Sequence, residues 1–191
     1  MEFTVSLPQW AVDDLASLKE ATYPTAEDRM RPVNAFARKN FEHNTGGPFS
    51  AGVFEKDTGK LIVIGVNRVV PSNCSSAHAE VTALSLAQNL LGTWNLGAWP
   101  ETLQLVVNWR PCAMCYGAVL WSGVKSLVIG GSGGEVEEIT GFDEGPIHPE
   151  WQKELEKRGV ELTDGVLNEE CVQVFRDFMA AGREVYNPNR G

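Results

Sequence analysis

Two short stretches constrain this chain more than any other feature. His78-Ala79-Glu80 and Pro111-Cys112-Ala113-Met114-Cys115 each open an apolar, helix-like run. Together they offer one imidazole and two thiols, the donor set that zinc prefers. For these side chains to meet, the fold must bring the starts of two helices together. Cys112 and Cys115 stand three apart, so on a helix their sulfurs project from one face. The first turn of a helix, with its unpaired N–H groups and its dipole, favours the thiolates that bind metal. Three ligands leave a fourth tetrahedral position for water, which is the arrangement of a catalytic site. Glu80, two residues past the histidine, is placed to carry protons to and from that water. Two thiolates also neutralise Zn²⁺, so its water stays less acidic than the pKa of about 7 that three imidazoles give. A neighbouring carboxylate base is then useful.

Two other readings of the motif remain open on residues alone. A C-x-x-C pair at a strand–helix junction can be a redox pair. Alternatively Cys74, four residues before His78, can complete a closed, structural Cys₃His set. Cys171 lies in an apolar helical pattern and reads as a buried thiol.

Around the motifs, hydrophobic periodicity places the elements. A helix is expected over Val12 to Ala21. Another follows Pro24 with Thr25 as N-cap, where Met30, Val33, Ala37 and Phe41 recur at helical spacing and Pro32 is a candidate kink or delayed start. Phe49 to Glu55 and Leu61 to Val66 read as strands joined by a hairpin turn through Lys56-Asp57-Thr58-Gly59-Lys60. A helix from Ala77 to Leu91 turns Val81, Leu84, Leu86 and Leu90 inward. Leu103 to Asn108 is a strand, and Pro111 opens a helix from Cys112 to Trp121 at a position where no backbone donor is lost. Lys125 to Gly130 and Val160 to Thr163 are further strands, with helices over Glu150 to Arg158 and Glu169 to Ala180. A hairpin followed by alternating strands and helices predicts a three-layer α/β/α domain on a mixed sheet. No repeat or composition break divides residues 1–191, so one domain is expected, with its core over about 25–165.

Composition narrows the partners. With 43% hydrophobic residues the 191-residue chain can bury one good core. It holds no apolar run of about 18 residues, so no membrane span is expected, and Met1 to Trp10 lacks the pattern of a secretory signal. Four cysteines, two claimed by metal, fit a reducing cytoplasm. Twenty-five acidic against 16 basic residues give a net charge of −9. Nucleic-acid binding depends on Lys and Arg at phosphates, so that class is disfavoured and a small-molecule substrate expected. The cluster Arg29, Arg31, Arg38 and Lys39 reads as a solvated helix face.

The ordered pair H-x-E and P-C-x-x-C resembles the cytidine deaminase-like superfamily, whose zinc pattern it is. Gly46-Gly47-Pro48-Phe49, Gly65 to Val70, Ala77 to Glu80, Pro111 to Cys115 with Gly117-Ala118-Val119, and Gly141-Phe142-Asp143-Glu144-Gly145-Pro146 make it most similar to the bacterial guanine deaminases. The resemblance implies a five-stranded sheet between helices, one zinc per subunit and a homodimer. It implies hydrolytic removal of an amino group from a nucleobase, guanine first, with guanosine or an aminotriazine as alternatives. A non-catalytic zinc-stabilised binding protein is the reading from another class, against which Glu80 speaks. By position, His78, Cys112 and Cys115 are the metal ligands, and Glu80 and Glu144 the catalytic carboxylates. Asn67 is expected to bond the base carbonyl, its amide both donating and accepting, and the backbone N–H of Ala79 to contact substrate. Phe49, Trp94 and Phe142 are candidate stacking surfaces. Relatives commonly carry an acidic residue where this chain has Arg110. Whether the segment from Asp164, including Tyr186 and Asn187, covers its own site or a neighbour's is open at this level.

Overall fold

The computed structural model describes residues 1 and 4–187. Its elements are α1 (Gln9–Leu18), α2 (Ala26–Glu42), β1 (Ser50–Glu55), β2 (Leu61–Val66), α3 (Val69–Ser72), α4 (Ala79–Leu91), β3 (Leu103–Val107), α5 (Ala113–Ser122), β4 (Ser126–Ile129), α6 (Glu135–Thr140), α7 (Trp151–Glu156), β5 (Glu161–Thr163) and α8 (Asn168–Ala180). A 3₁₀ turn at Leu96–Ala98 precedes β3. The strands form one sheet in the order β2-β1-β3-β4-β5. β1 is antiparallel to both β2 and β3, while β3, β4 and β5 run parallel. The fold is the α/β cytidine deaminase-like one, with the expected five-stranded mixed sheet.

Helices cover both faces of the sheet. Ala51 pairs with Gly65 and Gly52 with Ile64, and directly paired residues share a face while neighbours alternate. Gly65 looks at α4 and Gly52 at Val33 of α2, so those helices lie on opposite sides. α5 packs beside α4, and α8 beside α2 and α6. Because β2 and β3 point the same way, the ends of β2, β3 and β4 and the start of β1 share one edge, where ligands of such sheets bind.

Several boundaries move for local reasons. α1 begins at Gln9 rather than Val12, because the carbonyl of Pro8 accepts the first helical bonds from Ala11 and Val12. Pro32 sits inside α2 and does not delay it: Thr25 and Asp28 form a reciprocal capping box that starts the helix ahead of the proline. The buried stripe of α4 is Ala79, Ala83, Ala87 and Leu84, whereas Val81 and Leu86 are only half-buried and Leu90 is exposed. The cause lies in β2. A Cβ on Gly65 would stand 2.4 Å from the Ala83 nitrogen, so helix and strand touch backbone to backbone and only small side chains fit between them. α3, α6 and the 3₁₀ turn are short and were not expected from periodicity.

Arg29 corrects the expectation of a solvated basic face. It is buried, and its guanidinium donates to the carbonyls of Tyr23, Pro24 and Lys56 and to Gln104 Oε1 at 2.6–3.2 Å, clamping α2 to the sheet. The other members are paired on the surface, Arg31 with Asp28, Arg38 with Asp177 and Lys39 with Asp14. Arg29→Ala orphans several buried acceptors, so urea denaturation is expected to show a loss of about 2–4 kcal/mol. Arg31→Ala, at an exposed pair, changes stability by no more than about 0.5 kcal/mol.

Candidate active site

Two helix starts converge at the shared strand edge. His78 is the N-cap of α4 and Cys112 the N-cap of α5, both with extended backbone. The helix therefore opens one residue later than the sequence suggests, and Pro111 lies ahead of the cap rather than in the first helical position. Among the described residues, His78, Cys112 and Cys115 are grouped with their ligand atoms within 4.8 Å of one another. Cys112 Sγ lies 3.6 Å from His78 Nδ1. Zn–S and Zn–N bonds of ordinary length on a tetrahedron set those atoms about 3.6 Å apart, so the residues fit the ion. Cys74 is not in the group. Its sulfur is with Ser76 Oγ at 3.2 Å, which leaves a three-residue ligand set. Cys171 is fully buried against Asn34, as expected.

The local charges are arranged for metal capture. Cys112 is pushed down to about 4, chiefly because the Cys115 thiol donates to it and then because His78 does. Cys115, as the donor in a buried place, is held well above the usual thiol range. Burial works to lower His78, but its bond to Cys112 and the charge of Glu80 outweigh this and raise it. Glu80, in the first turn of α4, is buried and pushed up to about 7, first by desolvation and then by the Cys112 charge.

Beside the cage lies a cavity of about 490 Å³ lined by His78, Cys112, Phe142, Glu144, Tyr186 and Asn187 among others. Glu144 follows α6 in a loop fixed by the bond from Ala113 N to its carbonyl. Burial, then the charges of Cys112 and Glu80, push its carboxyl up to about 8. Asn67, just after β2, is 1% exposed. Its Oδ1 accepts from the backbone N–H groups of Gly47 and Val69 at 3.4 and 3.3 Å, and its Nδ2 donates to Tyr186 Oη at 2.5 Å. The amide therefore does not present both of its functions: the acceptor is spent on backbone and only the donor faces outward.

Of the expected aromatic surfaces, Phe142 lines the cavity and packs edge-on to Tyr186. Phe49 stands behind it, 5.2 Å from Phe142 and 5.4 Å from Phe175, so it supports the lining. Trp94 is not brought to this site. It is 80% exposed beyond the far end of α4, about 20 Å from His78 by the rise of that helix. Ala79, whose N–H was an expected contact, is the first residue of α4 beside the ligand His. The carboxyl-terminal segment lies over the site: Tyr186 reaches Asn67, and Asn187 accepts from Asp143 N and donates to Gly141 O. Periodicity could not find these two residues, because they belong to no regular element. Arg110 pairs with Glu137 of α6 at 3.0 Å.

Residues 24–131 match the model of the cytidine and deoxycytidylate deaminase zinc-binding region. The chain belongs to this family. A solved structure of NE0047 in complex with 2,6-diaminopurine is 43% identical, with a TM-score of 0.88 over 96% of each chain. The guanine deaminase of Nitrosomonas europaea is 42% identical, with a TM-score of 0.87 over 94% of this chain and 97% of that one. Among curated proteins, the guanine deaminase of Bacillus subtilis (strain 168) is 36% identical over 135 residues, 70% of this chain and 82% of the relative. His78, Cys112 and Cys115 are the residues that would hold the family's zinc, and Cys115 would give up its proton on binding. Elemental analysis is expected to find about one zinc per chain in wild type and in Cys74→Ser, and to find it lost in Cys115→Ser.

Proposed function

We propose that this chain is an aminohydrolase that converts guanine and water to xanthine and ammonia. The observation that carries it is a three-residue zinc site with the buried Glu80 in the adjoining helical turn, opening through His78 and Cys112 onto a small cavity that Glu144 and Tyr186 also line, Tyr186 being bonded by the Asn67 amide. Its similarity to guanine deaminases over nearly the whole chain supports guanine over guanosine or an aminotriazine.

When bound, zinc supplies an acidified water and polarises the reacting carbon's surroundings. Glu80, buried among the ligands and raised to about 7, takes a proton from that water and returns one to the departing amino nitrogen. The C–N bond to the amino group breaks as a C–O bond forms at the same ring carbon. Asn67 Nδ2 donates to the ring carbonyl, with the substrate oxygen taking the place held here by Tyr186 Oη. Glu144, its carboxyl raised by burial, faces the cavity where it contacts a ring nitrogen of the base. Phe142 packs against the flat base. The cavity, about 490 Å³, is of the size of small-ligand sites.

Glu80→Gln is expected to lower kcat for ammonia release from guanine by about 10²–10⁴-fold, the range of one general acid–base, with zinc content unchanged. Loss of the zinc, or undiminished turnover, overturns the assignment.

A homodimer and a cytoplasmic setting also belong to this reading. Trp121 at 86%, Leu90 and Met114 are exposed on α4 and α5, which pack side by side, and large exposed apolar side chains mark contact surfaces. Four free cysteines suit a reducing compartment, and among the described residues no helix is long and apolar enough to cross a membrane. Sedimentation is expected to give twice the 20.9 kDa chain mass, and Trp121→Lys to shift it toward one.

A further inference from the structure

Asn67 is held by its neighbours, and one buried side chain ties its peptide to that of Gly47. Asn40, near the end of α2, is fully buried. Its Nδ2 donates to two backbone carbonyls at once, Gly47 O at 2.9 Å and Asn67 O at 2.8 Å. Its Oδ1 lies 2.9 Å from Thr45 Oγ1, and that hydroxyl accepts from Trp10 Nε1 at 3.1 Å. The hydroxyl keeps its own proton for Asn40, whose Oδ1 and main-chain carbonyl lie 2.9 and 3.0 Å away, while the carbonyls of Gly47 and Asn67, which can only accept, fix the nitrogen end of the Asn40 amide. Space is equally fixed, for a Cβ on Gly46 would stand 1.9 Å from Asn67 O and 2.5 Å from Asn40 Nδ2.

We infer that Asn40 is a specificity-determining positioning residue: by pinning the Gly47 and Asn67 peptides together, it locks the Asn67 amide with its NH₂ toward the base, so that the site accepts a ring carbonyl at that point. The chain of contacts is short. Gly47 N–H holds Asn67 Oδ1, and Asn40 holds the Gly47 and Asn67 carbonyls. Rotating the Asn67 amide by half a turn would set its NH₂ against the N–H groups of Gly47 and Val69, two donors with nothing to accept them. With the amide locked, a heterocycle that lacks the carbonyl leaves a buried donor unpaired, a defect that costs about 10–100-fold in affinity. Asn40 touches no substrate, and it acts through Asn67 alone.

The inference rests on the guanine reading, and binding separates the two. Guanine and 2-aminopurine carry the same amino group, but the second lacks the ring carbonyl and its adjoining N–H. Dissociation constants for both are measured in zinc-loaded Glu80→Gln protein, where neither ligand is turned over, with and without Asn40→Ser or Thr45→Val. The Thr45 variant removes the hydroxyl that Asn40 shares with Trp10 while keeping the Asn40 side chain, and it carries the test if Asn40→Ser does not fold. Expected is a guanine preference of about 10–100-fold that falls to within about 3-fold in the variants, through weaker guanine binding and nearly unchanged 2-aminopurine binding. Equal losses for both ligands would mean general loosening of the site, and an unaltered preference would mean that Asn67 needs no such support. Either result overturns the inference. Absence of ammonia release from guanine by wild type overturns the functional reading instead, while the binding ratio still decides the role of Asn40.

Discussion

The meeting of two helix N-termini is the constraint on which the site depends. A helix start is where backbone N–H groups lack partners and where negative charge is stabilised. By ending β3 at Val107 and starting α5 at Ala113, the chain sets Cys112 and Cys115 at such a point. The N-cap of α4 brings His78 to within 3.6 Å of Cys112 Sγ. The chemistry of the site follows from that approach: the depressed Cys112, the elevated Cys115, and Glu80 raised by burial beside them.

Around this fixed centre the protein builds a polar pocket from pieces of very different rigidity. Asn67 sits at a strand end with its amide oxygen committed to backbone, and Asn108 behind it has both ends of its amide so committed, to Ser50 N and Pro48 O. Glu144, Tyr186 and Asn187 lie on segments outside regular structure, tied by a few hydrogen bonds and by the edge contact of Tyr186 with Phe142. A firm floor with a lightly attached cover suits a site that must exclude water during reaction and still exchange ligands.

The metal cage was legible in the sequence because each half of it is local. H-x-E and C-x-x-C are read within one helical turn, and helix geometry does the rest. The strands were legible through their apolar runs, and the carboxylates through the family resemblance. What escaped were choices made by tertiary contact. Trp94 looks like a ligand surface in its loop, but the length of α4 carries it away from the zinc end. The apolar pattern of α4 points to leucines and a valine, yet the close approach of Gly65 selects the alanine stripe. Arg29 resembles its surface neighbours in sequence and differs only because Gln104 and three carbonyls await it. Tyr186 meets Asn67 across 119 positions, and no periodicity spans such a gap. Asn40 gives no sign of its part until the Gly46-Gly47 turn is seen against it.

Gly65 has a mechanical corollary. Where α4 rests on β2 there is no cushion of interchangeable core side chains, since Ala79, Ala83 and a bare Cα fill the gap. Swapping one aliphatic side chain for another beneath the helix cannot retune the carboxylate it carries, because main chain rather than side chain sets the height of its first turn. The loops and tail that line the cavity have no such backbone seat, so their side chains can be exchanged without shifting that carboxylate.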